Sequence, residues 1–367
     1  MVTPLCPAPF VEGFTNPSGG YRNCCAADPQ VSSTKTFVQW WNSQALNEFR
    51  QRLMSDQLPA ECKSCQLNEE ATGHSFRTSL LDQTTNVCKA ELPNRWNIIF
   101  GNQCNLSCWM CTENASSRIE QDKKQIGIIP VDQLSAEEVF AKSWPDLRKQ
   151  IIQSYKYHDE VVLTILGGEP LYSPLVLTFL KELIDLKLAN KTRLEFHTNA
   201  TNLTATVKKI LSPGNWKFVC MMLSIDAVGK TAEWIRYGCH WPRIVKNIEF
   251  YKTTADYVEV HATVSVLNIS NLHNLVEFCQ DNHLVLKFFV LTTPAYLALE
   301  NWPGKADDLC SKQKLEQAGL VKYYDMIGKT PSADAPLQLQ QYVNQFNSIR
   351  NPISMYDAEL GVKLGLK

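Results

Sequence analysis

Cys104, Cys108 and Cys111 stand in the run Gly101-Asn-Gln-Cys104-Asn-Leu-Ser-Cys108-Trp-Met-Cys111, a C-x3-C-x2-C spacing. Thiolates are soft metal ligands, and three of them within eight residues can line one side of a cluster if the loop wraps around it. The number itself is informative. Structural zinc sites and electron-transfer [4Fe-4S] sites take four protein ligands. Three cysteines would leave one iron without a protein ligand, and an open position is what a catalytic metal site keeps for substrate or cofactor.

This loop resembles that of the radical S-adenosylmethionine (SAM) enzymes, in which C-x3-C-x2-C follows the first strand of a partial (β/α)6 barrel. The resemblance implies a [4Fe-4S] cluster on Cys104, Cys108 and Cys111, with the amino and carboxylate groups of SAM on the open iron. The residue before the last cysteine, here Met110, would pack on the adenine, with Trp109 one step earlier. About 55 residues on, Gly167-Gly168-Glu169-Pro170 looks like the family's GGEP motif, which would bind the SAM amino group. Asn199, Ser224 and Asp226 become candidates for its ribose or carboxylate, and Arg236 for the carboxylate, which a guanidinium fork suits. For each of these, a capping or surface role stays open, and His197 reads as a packed strand-end imidazole.

Such a site needs a scaffold. Trp96-Asn-Ile-Ile-Phe100 is a short β-prone run directly before the loop, and Val161 to Leu166 is near-continuously apolar, as in a parallel strand covered on both faces. Arg193–Thr198, Lys217–Ile225, Tyr257–Leu267 and Leu284–Leu291 read as four more strands. Helical periodicity fills the spaces at Ser135–Tyr157, Leu175–Leu188, Ala205–Leu211, Ala232–Lys252 and Asn271–Gln280. Ser135 with Glu138 forms a capping-box signature. The alternation predicts a parallel α/β architecture with the site at the strand C-termini.

The first 90 residues read differently. They are rich in Pro, Gly, Asn and Cys, with one helix expected over Thr36–Met54 around Trp40 and Trp41. Cys6-x12-Gly19-x4-Cys24, followed by Cys62-x2-Cys65, is similar to the first part of the SPASM auxiliary-cluster module, in the shorter form called twitch. That resemblance implies a second [4Fe-4S] cluster closed by Cys6, Cys24, Cys62 and Cys65. Cys25 competes with Cys24, Cys88 is a spare candidate, and a four-cysteine zinc site stays open. The polar stretch Asn68–Arg77 is placed no further than the border of a substrate cavity. Cys220, Cys239, Cys279 and Cys310 sit in apolar settings and read as packing.

Composition narrows the class. Thirteen cysteines in 367 residues are too few for a disulfide scaffold, which exceeds roughly 8–10%. Lys and Arg number 36 against 37 acidic residues, so no basic excess supports nucleic-acid or membrane-surface binding. Met1 to Glu12 carries three prolines and no apolar core, and Leu284–Leu299 is interrupted by Lys287 and Pro294. Neither is a signal or a membrane span, so a reducing cytoplasm is expected.

Domains are expected over 1–92 (auxiliary-cluster module), 93–292 (barrel) and 293–367 (helical extension with patches at Cys310–Ile327 and Leu337–Ile349). Family resemblance implies reductive cleavage of SAM to a 5′-deoxyadenosyl radical and hydrogen abstraction from a peptide or amino-acid side chain. It also implies a one-electron reductant such as flavodoxin or ferredoxin. The alternative within the class is dehydrogenation, epimerisation or rearrangement of a small molecule such as a sugar or nucleoside. A non-catalytic zinc or iron–sulfur protein is the alternative outside it, but only Lys63, Arg77 and Lys89 flank the N-terminal cysteines.

Overall fold

A computed structural model describes residues 4–16, 19–27, 36–55, 57–84, 87, 89–130, 132, 135–303, 320–327 and 332–366. Cys88 and Cys310, with most of the expected helix Cys310–Ile327, lie outside the described residues. The chain is α/β, with eight strands and helices between them among the described residues. It forms two compact units that exchange segments: Met1–Gln103, Leu134–Phe196 and Ile210–Val219 in one, Cys104–Gln133, His197–Lys209 and Cys220–Lys367 in the other.

In the first unit the six-residue run Arg95–Phe100 forms β3 and pairs in parallel with β4, Val161–Gly167, which pairs in parallel with β5, Thr192–Thr198. The apolar run of β4 is buried at five consecutive positions, as expected of a covered parallel strand. β5 alternates instead, burying Leu194 and Phe196 while Arg193 and Glu195 occupy the other face. Two strands were not legible in the sequence. Glu12–Thr15 (β1) pairs in parallel with β3, and Tyr21–Arg22 (β2) pairs antiparallel with β1. They are short, and β1 lacks an alternating pattern because all four of its residues are buried. The N-terminal segment therefore extends the barrel sheet at β3 as well as carrying cysteines.

Ser135 caps the helix Ala136–Ser154 through a reciprocal box with Glu138. That helix and Pro174–Asp185 cover the strands through Phe100, Phe140, Trp144 and Phe179, whose rings meet at 4.9–5.4 Å. The expected helix Thr36–Met54 is two helices, Phe37–Trp41 and Gln44–Arg52, because Ser43 caps the second. Phe37 stacks on Trp41 and packs 4.5 Å from Trp96 of β3.

The second unit holds β6 from Cys220 on (the strand is Phe218–Ser224), β7 (Tyr257–Val264) and β8 (Val285–Val290), successive strands parallel. The expected helix Ala232–Lys252 is two helices, Gly229–Ile235 and Trp241–Thr254. The break contains Gly238 at φ 99°, a left-handed value glycine tolerates, and Pro242 opens the second helix. The helix Ala335–Phe346 joins an apolar cluster that includes Trp109, Trp234, Val266 and Leu299. Among the described residues no helix is long and apolar enough to cross a membrane.

Trp96 is fully buried and its indole donates to Ser154 Oγ. Trp96→Ala should cost about 3–5 kcal/mol, the usual scale for emptying a buried tryptophan site. Urea unfolding should show a lowered midpoint; an unchanged midpoint would mean that this contact with Phe37 does not hold the N-terminal segment.

Candidate active site

β3 ends at Phe100, and the chain turns through Gly101 at φ 54°, where a Cβ would run into Glu137. The Glu137 carboxylate accepts from the backbone N–H groups of Asn102 and Gln103, while burial pushes its pKa up. At the end of β4, Glu169 N–H donates to Gln103 O at 2.7 Å. Gly167 adopts φ 138°, and a Cβ on Gly168 would fall on the carbonyl oxygens of Asn102 and Gln103. The two glycines are thus required by the close approach of this backbone to the stretch entering the cysteine loop. Pro170 starts a short 3-10 turn, and the buried Glu169 carboxylate accepts from Leu171 N–H.

Within the second unit the cysteine loop is pinned along its length. Ser107 N–H donates to Tyr237 O and Trp109 N–H to Ile235 O, at 2.8 and 3.0 Å. Leu106 N–H donates to Cys104 Sγ. Trp109 is buried among Trp234, Tyr342 and Phe346, so it anchors the loop in the core while half-buried Met110 lies at the cluster's margin.

Cys108 and Cys111 share a hydrogen bond, which together with the Arg236 and Arg350 guanidiniums holds the Cys108 thiol below its ordinary pKa. The Cys111 thiol is pushed up by the same hydrogen bond and by burial. Arg236 Nη1 lies 4.0 Å from Cys108 Sγ and its Nη2 is 2.8 Å from Asp226 Oδ2. That ion pair is close but not aligned as a hydrogen bond, and Arg236 Nε has no acceptor among the described residues. Asp226 accepts from Thr263 N–H at 2.8 Å. Asn199, expected to face SAM, donates from Nδ2 to Asn105 Oδ1 at 3.1 Å, and the same atom is 3.9 Å from Cys104 Sγ.

These residues fit an anionic cluster. The buried Arg350 and half-buried Arg236 guanidiniums near Cys108 favour its thiolate, and an uncommitted, buried N–H on a cation is the donor a carboxylate or cluster sulfur would use. Among the described residues no three His, Cys, Asp or Glu side chains converge on a point as ligands of a single ion do. A cubane asks for a different arrangement, since each thiolate binds its own iron.

Below Asp226, Ser224 is opposite His261 in the β6–β7 register. Sequence reasoning missed the polar set around it. His261 Nε2 is 2.6 Å from Glu259 Oε1, Lys287 Nζ is 2.7 Å from Glu259 Oε2, and His197 meets His261 edge to face. Only the period-2 alternation of β7 hinted that Glu259 and His261 share a face.

In the first unit, Cys6, Cys24, Cys62 and Cys65 line one cavity with Pro9, Phe49, Leu53, Phe76 and Arg77. Cys24 rather than Cys25 faces this cavity, and a hydrogen bond from Cys25 lowers its pKa. Burial pushes Cys62 up to about 12 and raises Cys65. Arg77, bonded to Glu69 and to Leu5 O, puts a guanidinium at the same cavity, so the polar stretch after Cys65 borders the cysteines. Gly19 takes φ 72° in the turn between β1 and β2. Of the cysteines assigned to packing, Cys220 and Cys279 are buried, and half-buried Cys239 donates to Ala232 O at 3.6 Å.

Residues 98–279 match the family model described as the radical SAM superfamily. Among solved structures, anSMEcpe with bound AdoMet and a peptide is similar at 16% identity and a TM-score of 0.39, covering 56% of this chain and 54% of that one. Streptococcus suis SuiB bound to precursor peptide SuiA is similar at 16% identity and a TM-score of 0.39, covering 80% and 53%. The chain thus spans about half the length of these structures. No protein of curated function matches it.

Burial drives His197 down to about 3, with His261 adding to the effect. An unfolded histidine takes up its proton near pH 6.5, so native stability should fall as pH drops from about 6.5 toward 3. Denaturation midpoints between pH 7 and 4.5 should fall less steeply in His197→Phe than in the parent; parallel slopes would contradict a buried neutral imidazole.

Proposed function

We propose, from the membership of residues 98–279 in the radical SAM superfamily, that this enzyme acts on a peptide or amino-acid side chain. The observation that carries the reading is the Cys104–Cys111 loop, held beside the Arg236–Asp226 ion pair. Cys104, Cys108 and Cys111 would hold a [4Fe-4S] cluster. When bound, that cluster supplies one electron to SAM, which gives methionine and the 5′-deoxyadenosyl radical that takes a hydrogen atom from substrate.

This chain's own residues do the rest. Arg236 offers its free Nε–H to an anionic group, and Asp226 keeps the guanidinium fixed and charged despite burial. Asn199 ties Asn105 and Thr201 together and so sets the path of the chain at Cys104. The resemblance assigns Gly167, Gly168, Glu169 and Pro170 to the SAM amino group, Ser224 to the ribose or carboxylate, and Met110 to the adenine. Trp109, by contrast, is committed to the core. Water is kept from the loop by the burial of Leu106, Cys108 and Trp109.

The second thiol set supports an auxiliary [4Fe-4S] cluster on Cys6, Cys24, Cys62 and Cys65, four residues from three separate stretches that line one cavity. Four thiolates close a cluster's coordination, which suits electron acceptance from a substrate radical or substrate binding. The twitch-like pattern is what favours the peptide class over a sugar or nucleoside. Electrons would come from a small reductant such as flavodoxin or ferredoxin.

Anaerobic reconstitution with iron and sulfide should give seven to eight irons per chain, two cubanes' worth. Dithionite with SAM should then release 5′-deoxyadenosine. The triple variant Cys24→Ala/Cys62→Ala/Cys65→Ala should lose about four irons and keep SAM cleavage, while Cys25→Ala keeps both clusters. Four irons with one zinc would remove the auxiliary cluster, and SAM cleavage by Cys108→Ala would overturn the central assignment.

A further inference from the structure

Arg350 follows the helix Ala335–Phe346, 239 residues after Cys111, yet its side chain is only 1% exposed beneath the cysteine loop. Its Nη2 donates to Ser107 Oγ at 2.5 Å and to Asp122 Oδ2 at 3.0 Å. The Ser107 hydroxyl also hydrogen-bonds Asp122. The guanidinium carbon sits 4.3 Å from the Trp109 ring centroid and 4.2 Å from that of Phe346. Ser107 belongs to the span between Cys104 and Cys108, and Trp109 to the span between Cys108 and Cys111. One side chain therefore grips both halves of the loop. Tyr342 adds a third tie from the same region by donating to Trp109 O at 3.2 Å.

Packing alone does not account for this residue. Its Nε and Nη1 are buried without an acceptor among the described residues, and burial opposes its charge. An under-satisfied buried cation is costly, and an apolar side chain of similar length would fill the same volume more cheaply. What an apolar side chain cannot supply is the bond to Ser107 and a positive charge held against Ser107 and Trp109, the residues on either side of Cys108.

We propose that Arg350 is a positioning residue for the cluster loop: it fixes the shape that presents Cys104, Cys108 and Cys111 together, and it sets a buried positive charge beside Cys108. The inference rests on the reading of these three cysteines as cluster ligands. A cluster carrying three thiolates gains negative charge on reduction, so a nearby cation favours the reduced form. Planarity matters as well as charge, since the guanidinium lies between aromatic rings.

The test uses the full chain, reconstituted anaerobically, with two readouts independent of turnover. One is the rate at which a ferrous chelator strips the SAM-binding cluster; the other is that cluster's midpoint potential. The Cys24→Ala/Cys62→Ala/Cys65→Ala background removes the auxiliary thiol set from both signals. Arg350→Met should lose the cluster about tenfold faster, the lower end of the usual scale for partners that orient metal ligands, and its potential should shift negative. Arg350→Lys should restore the potential while retaining the cluster less well than arginine. Should Arg350→Met fail to fold, Ser107→Ala removes only the bond on the loop side and should also speed cluster loss. Parent-like stripping and potential in Arg350→Met, or parent-like stripping in Ser107→Ala where Met does not fold, would overturn the proposal. A parent chain that takes up no cluster on Cys104, Cys108 and Cys111 would instead overturn the reading beneath it.

Discussion

Three thiols in eight residues repel one another as soon as they ionise, so everything near Cys104–Cys111 must oppose that repulsion. The chain meets the requirement with charge and with tethers. Arg236 and Arg350 bring two guanidiniums to Cys108, and each is anchored by a buried carboxylate, Asp226 or Asp122. Backbone bonds from Ser107 and Trp109 to the 235–237 strip stop the loop from opening. The break between the helices Gly229–Ile235 and Trp241–Thr254 is part of this arrangement, because a continuous helix would have tied up the carbonyls of Ile235 and Tyr237 that those bonds use.

The N-terminal cysteines meet a related problem by burial. Desolvation raises Cys6, Cys62 and Cys65, which favours their protonated forms, while a hydrogen bond from Cys25 lowers Cys24. Metal loading would have to displace those protons, so its affinity depends on pH. Arg77 at the same cavity lowers that cost, and Glu69 keeps it in place through paired contacts. The segment carrying these thiols is also part of the sheet, since β1 lies along β3. Its cysteines are therefore held by backbone pairing as well as by their own loops.

Much of this was legible in the sequence, for identifiable reasons. Strands β3 to β8 announced themselves because covered parallel strands are apolar runs and because β7 alternates. The C-x3-C-x2-C spacing and the Gly167–Pro170 turn are local, so contiguous residues carry their signal. What stayed hidden is what depends on distant partners. β1 and β2 are too short to show a period, and their pairing is decided by β3 more than 80 residues on. Arg350 looks like any surface arginine until the fold buries it against Trp109. At Asn199 the resemblance points to a ligand contact, while its hydrogen bonds to Asn105 and Thr201 depend on the fold and were not legible in the sequence. Glu137 falls in the first turn of the expected helix Ser135–Tyr157 and carries no local signal, although its carboxylate holds the backbone entering the cysteine loop.

The central claim is that three cysteines leave one iron open for SAM. Electron paramagnetic resonance of the dithionite-reduced chain addresses it directly, in the Cys24→Ala/Cys62→Ala/Cys65→Ala background so that the auxiliary thiols do not contribute. Adding SAM should change the spectrum of the remaining cluster, because a ligand has entered an iron's coordination. A reduced cluster whose spectrum is the same with and without SAM would contradict the account.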